Sequence, residues 1–253
     1  MPRALRVTER NVIAYTRNWV VMASGFVEPL FYLLSIGVGI GALVGEVAGP
    51  GGDLIDFEDF VAPGMLAAAA MNGAIADSTF NIFHKLRWMK TYDVMLATPV
   101  RVLDITLGEL TWAVVRGTTY SAGFLVIMAA LGYVASWWAI LVVPAAALLA
   151  AAFAGAGLAA TTFMRTWNDT MWINLATFPL FLLSTTFYPL EVYPRWLEVA
   201  IQFTPLYHGV DLVRRLTLGE VGAECAVHVG YLAALAVVGI AVAVRRFERV
   251  LVE

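Results

Sequence analysis

Apolar residues are gathered into runs long enough to cross a lipid bilayer, and this feature restricts the chain to a membrane fold. A transmembrane helix needs roughly 20 mostly apolar residues. Of the 253 residues, 60% are hydrophobic and 14% are charged, whereas about 25% are charged in a typical soluble domain. We therefore expect an all-α integral membrane protein with six transmembrane helices. The predicted spans are 20–44, 60–83, 107–133, 137–164, 171–188 and 225–244.

The distribution of positive charge predicts the orientation of the chain. Cytoplasmic loops of membrane proteins carry an excess of Lys and Arg. If the N-terminus is cytoplasmic, twelve of the sixteen Lys and Arg residues fall on that side, whereas the external loop 45–59 carries only acidic charges. An even number of spans then returns the C-terminus to the cytoplasm. The external side keeps Arg195, Arg214 and Arg215, and we expect Arg214 to have access to water.

Three segments outside the spans are distinctive. Residues 1–18 interleave arginines with apolar residues, which is typical of an amphipathic helix at the membrane surface, although an ordinary polar tail is the alternative. The cytoplasmic connection 84–106 is too long to be a simple turn. The external connection 189–224 is rich in apolar residues and is broken by prolines, which predicts short amphipathic helices that dip into the outer leaflet.

Motifs for a nucleotide site or a catalytic site are absent from the sequence. There is no GxxxxGK[ST] phosphate loop, no HExxH zinc motif and no GxSxG nucleophile motif. The single cysteine, Cys225, cannot form an intrachain disulfide, and we predict neither a metal site nor catalytic residues. If ATP powers this protein, a separate chain must therefore supply the ATPase.

The cytoplasmic connection contains the pattern of a docking helix. Residues 91–97 form a short amphipathic segment, and Thr98 and Pro99 end the predicted helix. A short helix that presents apolar side chains to the cytoplasm can dock in a groove of a partner protein. A helix that rests on the lipid headgroups fits the same pattern. The predicted contact residues are Arg87, Thr91, Tyr92, Asp93, Met95 and Leu96.

Four stretches resemble the permease subunits of type 2 ABC exporters. The first span contains EPLFYLLSIGVGIG (28–41), and the second begins with FVAPGMLAAAAMNGAI (60–75). The docking segment reads RWMKTYDVMLATPV (87–100), and the external segment over 187–215 ends in PLYHGVDLVRR. The likeness is greatest to the exporters of nodulation lipo-oligosaccharides and of daunorubicin-type drugs, and it covers nearly the whole chain.

This resemblance implies an assembly and a function. Residues 1–253 would form one permease domain, and two such chains, expected to be a homodimer, would pair with two separate ABC ATPase subunits. Those subunits would bind ATP and Mg, so this chain would hold no cofactor. The segment 84–106 would contact the ATPase, and the helices of 189–224 would be re-entrant and cap the exit. The complex would export an amphipathic drug, lipid or lipid-linked oligosaccharide across a bacterial inner membrane, in contact with membrane lipids and without a nucleic-acid partner.

Other functions remain open at this point. A lipid-linked polysaccharide exporter of the same architecture would have continuous aromatic rings along its pathway. An ion-coupled secondary transporter would have inverted repeats and discontinuous helices at the midplane, and the sequence contains no evident repeat. A membrane enzyme would need a nucleophile and a base, and no such constellation is evident.

Ionisable and polar residues within the spans are further candidates for function. Glu28, Asp77 and Arg116 are predicted to lie at similar depth, so that Arg116 can pair with an acid and lower the cost of burial. A hydrated vestibule, or snorkelling to the headgroups, is the alternative for these charges. The predicted wall of a substrate pathway, which ordinary helix packing would also explain, is Met71, Asn72, Asn174, Phe178, Phe181 and Thr185.

Overall fold

Helices account for most of the chain in a computed structural model. It describes the backbone of residues 3–17 and 19–252, and their side chains apart from 19, 21–24, 26, 28, 38 and 252. In chain order the α-helices are α1 (Arg3–Thr16), α2 (Trp19–Tyr32), α3 (Gly39–Val44), α4 (Phe57–Ala76), α5 (Thr91–Leu96), α6 (Val102–Leu131), α7 (Val142–Thr161), α8 (Thr170–Leu183), α9 (Arg195–Gln202), α10 (Pro205–Leu218) and α11 (Ala223–Val252). Short 3₁₀ helices are Trp137–Leu141, Trp167–Asp169 and Leu190–Val192.

Two further kinds of element complete the described chain. A small antiparallel hairpin of β1 (Glu46–Ala48) and β2 (Leu54–Asp56) occupies the loop predicted at 45–59. The wider turn of the π-helix is found at Leu33–Val38, Asp77–Asn81 and His84–Trp88. Short π segments inside α-helices occur frequently at functional sites. Sequence periodicity predicted neither the hairpin nor the π segments.

Four helical stretches are long and apolar enough to cross a membrane. They are Phe57–Trp88, Val102–Leu131, Trp137–Thr161 and Ala223–Leu251, and they correspond to the second, third, fourth and sixth predicted spans. Even the shortest, with 25 residues, reaches about 37 Å at 1.5 Å per residue, which exceeds the roughly 30 Å of a hydrocarbon core. The prediction of an integral membrane protein rests securely on these four.

The first and fifth predicted spans have a different form. The first is helical from α2 to α3 and passes through the π segment Leu33–Val38, and among its described residues the apolar helix Pro29–Val44 is shorter than a full span. The fifth is α8, whose 14 residues cover about 21 Å, and residues 184–188 are not helical. The structure therefore does not confirm the count of six membrane-crossing helices.

The N-terminal helix α1 is docked on α6. Thr8 and Asn11 are buried, whereas Leu5 and Ile13 are 43% and 54% exposed. The hydroxyl of Thr8 donates to the carbonyl of Gly108 in α6 at 3.1 Å. An amphipathic helix thus forms within 1–18, but part of its polar side packs against protein while Leu5 and Ile13 face outward.

The predicted external connection folds into α9 and α10, which differ in burial. Helix α10 packs against α4, α7 and α11, and ten of its residues are buried. Helix α9 is more exposed: Trp196 is 73% exposed, and Phe203, which follows the helix, is 72% exposed. Helix α10 is therefore part of the core, whereas α9 has the exposed apolar side chains expected of a helix that meets lipid.

Glycine allows close packing between α7 and α11. A Cβ atom built on Gly155 would lie 2.7 Å from the backbone nitrogen of Ile240. Gly239 stands opposite, and a Cβ atom there would lie 3.1 Å from the backbone nitrogen of Ala156. Small residues allow membrane helices to approach each other at such distances, which increases the van der Waals contact between them.

Replacing Gly155 with alanine is expected to destabilise the protein, because the added methyl group meets the backbone of α11. Overpacking of this kind costs about 1–3 kcal/mol. Gly230→Ala in α11 is the control, since a Cβ atom there meets nothing within 4 Å. Thermal unfolding in detergent should give a lower midpoint for Gly155→Ala than for Gly230→Ala. Equal midpoints would contradict the close contact.

Candidate functional site

A buried ion pair joins the second and third predicted spans. Arg116 Nη1 in α6 lies 3.1 Å from Oδ1 of Asp77, the first residue of the π segment that follows α4. Only 6% of Arg116 and 2% of Asp77 are exposed. Each charge lowers the cost of burying the other. The structure thus brings together two of the three predicted charges, and the side chain of Glu28 lies outside the described residues.

Tyr15 of α1 joins this pair to form what we call the Asp77 cluster: Tyr15, Asp77, Asn81, Arg116 and Tyr120. The Tyr15 hydroxyl donates to Asp77 Oδ1 at 2.8 Å and accepts from Arg116 Nη1 at 3.2 Å. Arg116 Nε donates to the Tyr120 hydroxyl at 2.8 Å, and Asn81 donates to Asp77. The cluster therefore ties the N-terminal helix to two spans.

A second polar cluster consists of Asn11, Lys85 and Glu109. Lys85 Nζ lies 2.7 Å from Glu109 Oε2 and donates to Asn11 Oδ1 at 3.0 Å, and Asn11 Nδ2 donates to the same carboxylate oxygen at 3.0 Å. Glu109 is 2% exposed. Sequence analysis missed this cluster, because charges near the ends of predicted spans ordinarily reach water. The burial of Glu109 depends on α1, which covers it.

An open cavity of about 370 Å³ lies between the first, second and fifth predicted spans. Four of the residues predicted for the substrate pathway line it, namely Asn72, Asn174, Phe178 and Phe181. The other lining residues are Tyr32, Ile75, Ala76, Phe80 and Thr177. We call this the amphipathic cavity, because amide groups and aromatic rings share its wall.

Two residues predicted for the pathway do not line the amphipathic cavity. Met71 is fully buried in the helical core. Neighbouring residues in a helix point about 100° apart, so Asn72 faces the cavity while Met71 does not. Thr185 lies beyond the end of α8 and borders a separate cavity of about 120 Å³ beside α10.

The predicted docking helix forms as α5, but its aromatic residue faces inward. Tyr92 is 1% exposed, and its ring packs edge-on against Phe247 of α11 with centroids 5.4 Å apart. The prediction that Tyr92 presents its ring to the cytoplasm is therefore wrong. A packed aromatic pair instead fixes α5 to the end of α11.

The outer side of α5 consists of other residues. Asp93 is exposed and Val94 is 70% exposed, while Met95 and Leu96 are half-buried. Thr91, the first residue of the helix, is also half-buried, and Arg87 is exposed just before it. Of the predicted contact residues, Asp93 and Arg87 are thus the most accessible, and Val94 adds an apolar side chain that the prediction did not include.

Arg214 of α10 is buried, contrary to the expectation of water access. It is 2% exposed and donates from Nε to the carbonyl of Phe60 at 3.0 Å and from Nη2 to the carbonyl of Thr185 at 2.7 Å. Its guanidinium carbon lies 3.7 Å from the centroid of the Phe60 ring. Thr185 has a φ of 56°, which is rare for a β-branched residue. Arg214 therefore holds a strained turn, and burial lowers its pKa to about 10.

A polar network next to Arg214 connects α10 to α11. Asp211 accepts from Arg215 Nε at 2.7 Å and from His228 Nε2 at 2.8 Å. Burial alone would raise the pKa of Asp211, but these two hydrogen bonds outweigh it and bring the pKa to about 2. Nδ1 of His228 lies 2.8 Å from Nδ1 of His208. The ionised carboxylate therefore anchors α10 to α11.

Breaking the Asp77–Arg116 ion pair is expected to cost more than removing both of its charges. Arg116→Gln leaves the buried carboxylate of Asp77 without its counter-ion, which costs about 3 kcal/mol or more. Asp77→Asn likewise leaves the buried guanidinium of Arg116 without its counter-ion. The double variant should recover part of that loss. Thermal unfolding in lipid nanodiscs gives the comparison, with Arg195→Gln as the control because that side chain is 86% exposed. Strictly additive losses would contradict the pairing.

Similarity to known proteins covers most of the chain. The sequence pattern of the family described as ABC-2 type transporter matches residues 4–218. Nodulation protein J of Rhizobium leguminosarum bv. trifolii is 33% identical over 231 residues, which are 90% of this chain and 86% of that protein. Nodulation protein J of Rhizobium meliloti (strain 1021) is 30% identical over 239 residues, 92% of this chain and 88% of that protein. These matches confirm the resemblance found in the sequence, and the chain belongs to the ABC-2 type transporter family.

Proposed function

We propose that this ABC exporter permease moves an amphipathic compound, such as a drug, a lipid or a lipid-linked oligosaccharide, out of the cytoplasm or the inner leaflet. The wall of the amphipathic cavity is the observation that carries this proposal. Its aromatic rings bury apolar surface, and its amides can orient a polar group. The residues that supply these groups are Tyr32, Phe80, Phe178, Phe181, Asn72 and Asn174.

The amphipathic cavity is incomplete in a single chain, which favours a pair of permeases. Phe178 is 62% exposed although it lines the cavity. At about 370 Å³ the cavity is near the lower end of the range of about 300–1,000 Å³ that is usual for ligand pockets. A second copy placed against this face would enlarge and close it. We therefore propose a homodimer in which each chain supplies one wall.

The energy for transport is proposed to come from two copies of a separate ABC ATPase. Membership of the family implies such a partner. That partner binds ATP and Mg, since this chain has no phosphate loop. The excess of Lys and Arg on one side supports a cytoplasmic location for both termini in a bacterial inner membrane.

Helix α5 is proposed as the contact with the ATPase. Its outer side offers Asp93 and Val94, and its inner side is fixed by the packing of Tyr92 on Phe247. A displacement of α5 would therefore be passed to α11, because a close-packed interior transmits strain. In this arrangement Tyr92 acts through its packing, and the exposed residues make the contact.

A lipid-linked polysaccharide is the second candidate for the exported compound. The aromatic series extends by one ring beyond the amphipathic cavity: Phe181, which lines the cavity beside Tyr32, also contacts Phe187 edge-on with centroids 5.2 Å apart. Such a run of rings would suit a series of sugar units that pass one after another. Membership of an ABC transporter family gives no support to an ion-coupled secondary transporter or a membrane enzyme.

Truncating Phe178 is expected to weaken the response to exported compounds. The assembled complex in liposomes is assayed for stimulation of ATP hydrolysis by candidate drugs, lipids and lipid-linked sugars. Phe178→Ala should raise the concentration for half-maximal stimulation about tenfold, since losing a ring that buries ligand surface costs 1–2 kcal/mol. Leu175→Ala is the matched control, because Leu175 is 63% exposed on the same helix and does not line the cavity. Equal effects of the two changes would contradict a pathway here.

Removing the outer side chains of α5 is expected to weaken ATPase association. Asp93→Ala combined with Val94→Ala should lower the affinity for the ATPase at least about tenfold while the permease stays folded, because interface anchors commonly carry most of the binding energy. A pull-down titration with the purified ATPase measures this. Tyr92→Ala, in contrast, should lower the thermal stability of the permease itself, since it empties a buried site.

The control for α5 is a double change on the opposite side of the membrane. Trp196→Ala with Phe203→Ala removes two side chains of similar exposure and should leave ATPase association intact. If this pair abolishes association while the α5 variant binds normally, the docking surface lies on the other side.

A further inference from the structure

Arg246 and Arg249, which no proposed step uses, share one cavity with Arg87. Arg87, Arg246, Arg249 and Val250 line a space of about 460 Å³ between the end of the second predicted span and the end of α11. We call it the arginine cavity. No carboxylate lines it, and within the described part of the chain none of its arginines forms an ion pair. Like charges gathered in this way favour an anion in the cavity.

Two of these arginines are already held in place and still have donors to spare. Arg87 donates from Nη2 to the carbonyl of Met164 at 3.2 Å. The guanidinium carbon of Arg246 lies 4.0 Å from the centroid of the Phe163 ring, and its Nε donates to the Thr162 hydroxyl at 3.5 Å. A guanidinium carries five N–H donors, so most remain free for a ligand. Planar donors held in this way match the oxygens of a phosphate group.

Aromatic residues place the arginine cavity at the level of the lipid headgroups. Trp88, which follows Arg87 directly, is 57% exposed and stacks on Trp167 with centroids 5.0 Å apart. Exposed tryptophan at the end of a membrane helix is typical of the membrane–water interface. The phosphate that is most concentrated at this depth belongs to phospholipids, and basic pockets between membrane helices bind the headgroups of acidic ones.

We propose that the arginine cavity is a binding site for the phosphate of an acidic phospholipid such as phosphatidylglycerol. Arg87 and Arg249 contact the phosphate oxygens, and Arg246 approaches them from its position over Phe163. Phe247, between two of these arginines in sequence, is the residue against which Tyr92 packs. A bound lipid therefore stabilises the junction between α11 and α5, whatever compound the permease exports.

Native mass spectrometry of the full chain tests this site. The protein is released from mixed micelles that contain equal amounts of phosphatidylglycerol and phosphatidylcholine, and retained lipid is counted. Phosphatidylglycerol should be retained in preference. Arg249→Gln should lower the affinity of the protein for phosphatidylglycerol about fivefold, and Arg87→Gln combined with Arg249→Gln should lower it about 25-fold. These values follow because one basic residue near an anionic surface usually contributes about a factor of five to binding. Arg245→Gln is the matched control, because it removes the same charge from an exposed position of α11 outside the cavity.

Four results would overturn the proposal. Equal retention of the two lipids, or equal effects of Arg245→Gln and Arg249→Gln, would show that no specific lipid site exists. Inorganic phosphate, added to the same micelles, distinguishes a lipid headgroup from free phosphate as the ligand. If phosphate protects the protein from thermal unfolding and phosphatidylglycerol is not retained, the cavity binds a soluble anion. Variants that retain phosphatidylglycerol normally but lose ATPase association would assign the arginines to a protein partner. Thermal unfolding in phosphatidylcholine alone should be unchanged by Arg249→Gln.

Discussion

The ion pair between Asp77 and Arg116 determines how the N-terminal half of the chain is assembled. A charge inside a membrane protein must find a partner, and these two residues belong to different helices, so α4 and α6 meet in one register. The Tyr15 hydroxyl fits between the two charges and fixes α1 in turn. With α1 in place, Asn11 and Thr8 reach the buried Glu109 and the Gly108 carbonyl. The position of the N-terminal helix therefore follows from the pair more than from its own amphipathic pattern.

The second predicted span connects the amphipathic cavity to α5, the two features on which the proposed transport rests. Asn72 and Phe80 line the amphipathic cavity, and the same stretch continues through two π segments to α5. A π turn leaves backbone groups without their usual partners, and here the Thr161 hydroxyl donates to the carbonyl of Ser78 at 2.9 Å. The Asp77 cluster and the Lys85–Glu109 pair both hold the stretch against α6 and α1. A change at α5 can thus reach the cavity through the two-residue connection at Met89 and Lys90 and the helical stretch that precedes it.

The sequence was informative where a property is local and misleading where contacts are distant. Apolar length predicted six spans, and the structure has a helix long and apolar enough to cross a membrane at four of them. The short helix predicted before Thr98 and Pro99 also forms. Arg214 was misjudged, because the sequence places it in a segment predicted to be external and therefore to have access to water. Its acceptors are the carbonyls of Phe60 and Thr185, 154 and 29 residues away. No local pattern encodes such partners.

Tyr92 illustrates the same limit and has a consequence for the mechanism. Amphipathicity shows that one side of α5 is apolar, but it does not show whether that side meets a partner or the permease itself. The structure buries Tyr92 against Phe247, so the apolar side is already occupied. Helix α11 in turn packs against α7 through Gly155 and Gly239, where the backbones are too close for a methyl group at Gly155. Because neither contact leaves room to slide, a force applied to the outer side of α5 moves α11 and α7 with it. Helix α5 is thus an extension of the helical bundle, and in the proposed contact its exposed residues would need only to bind the ATPase.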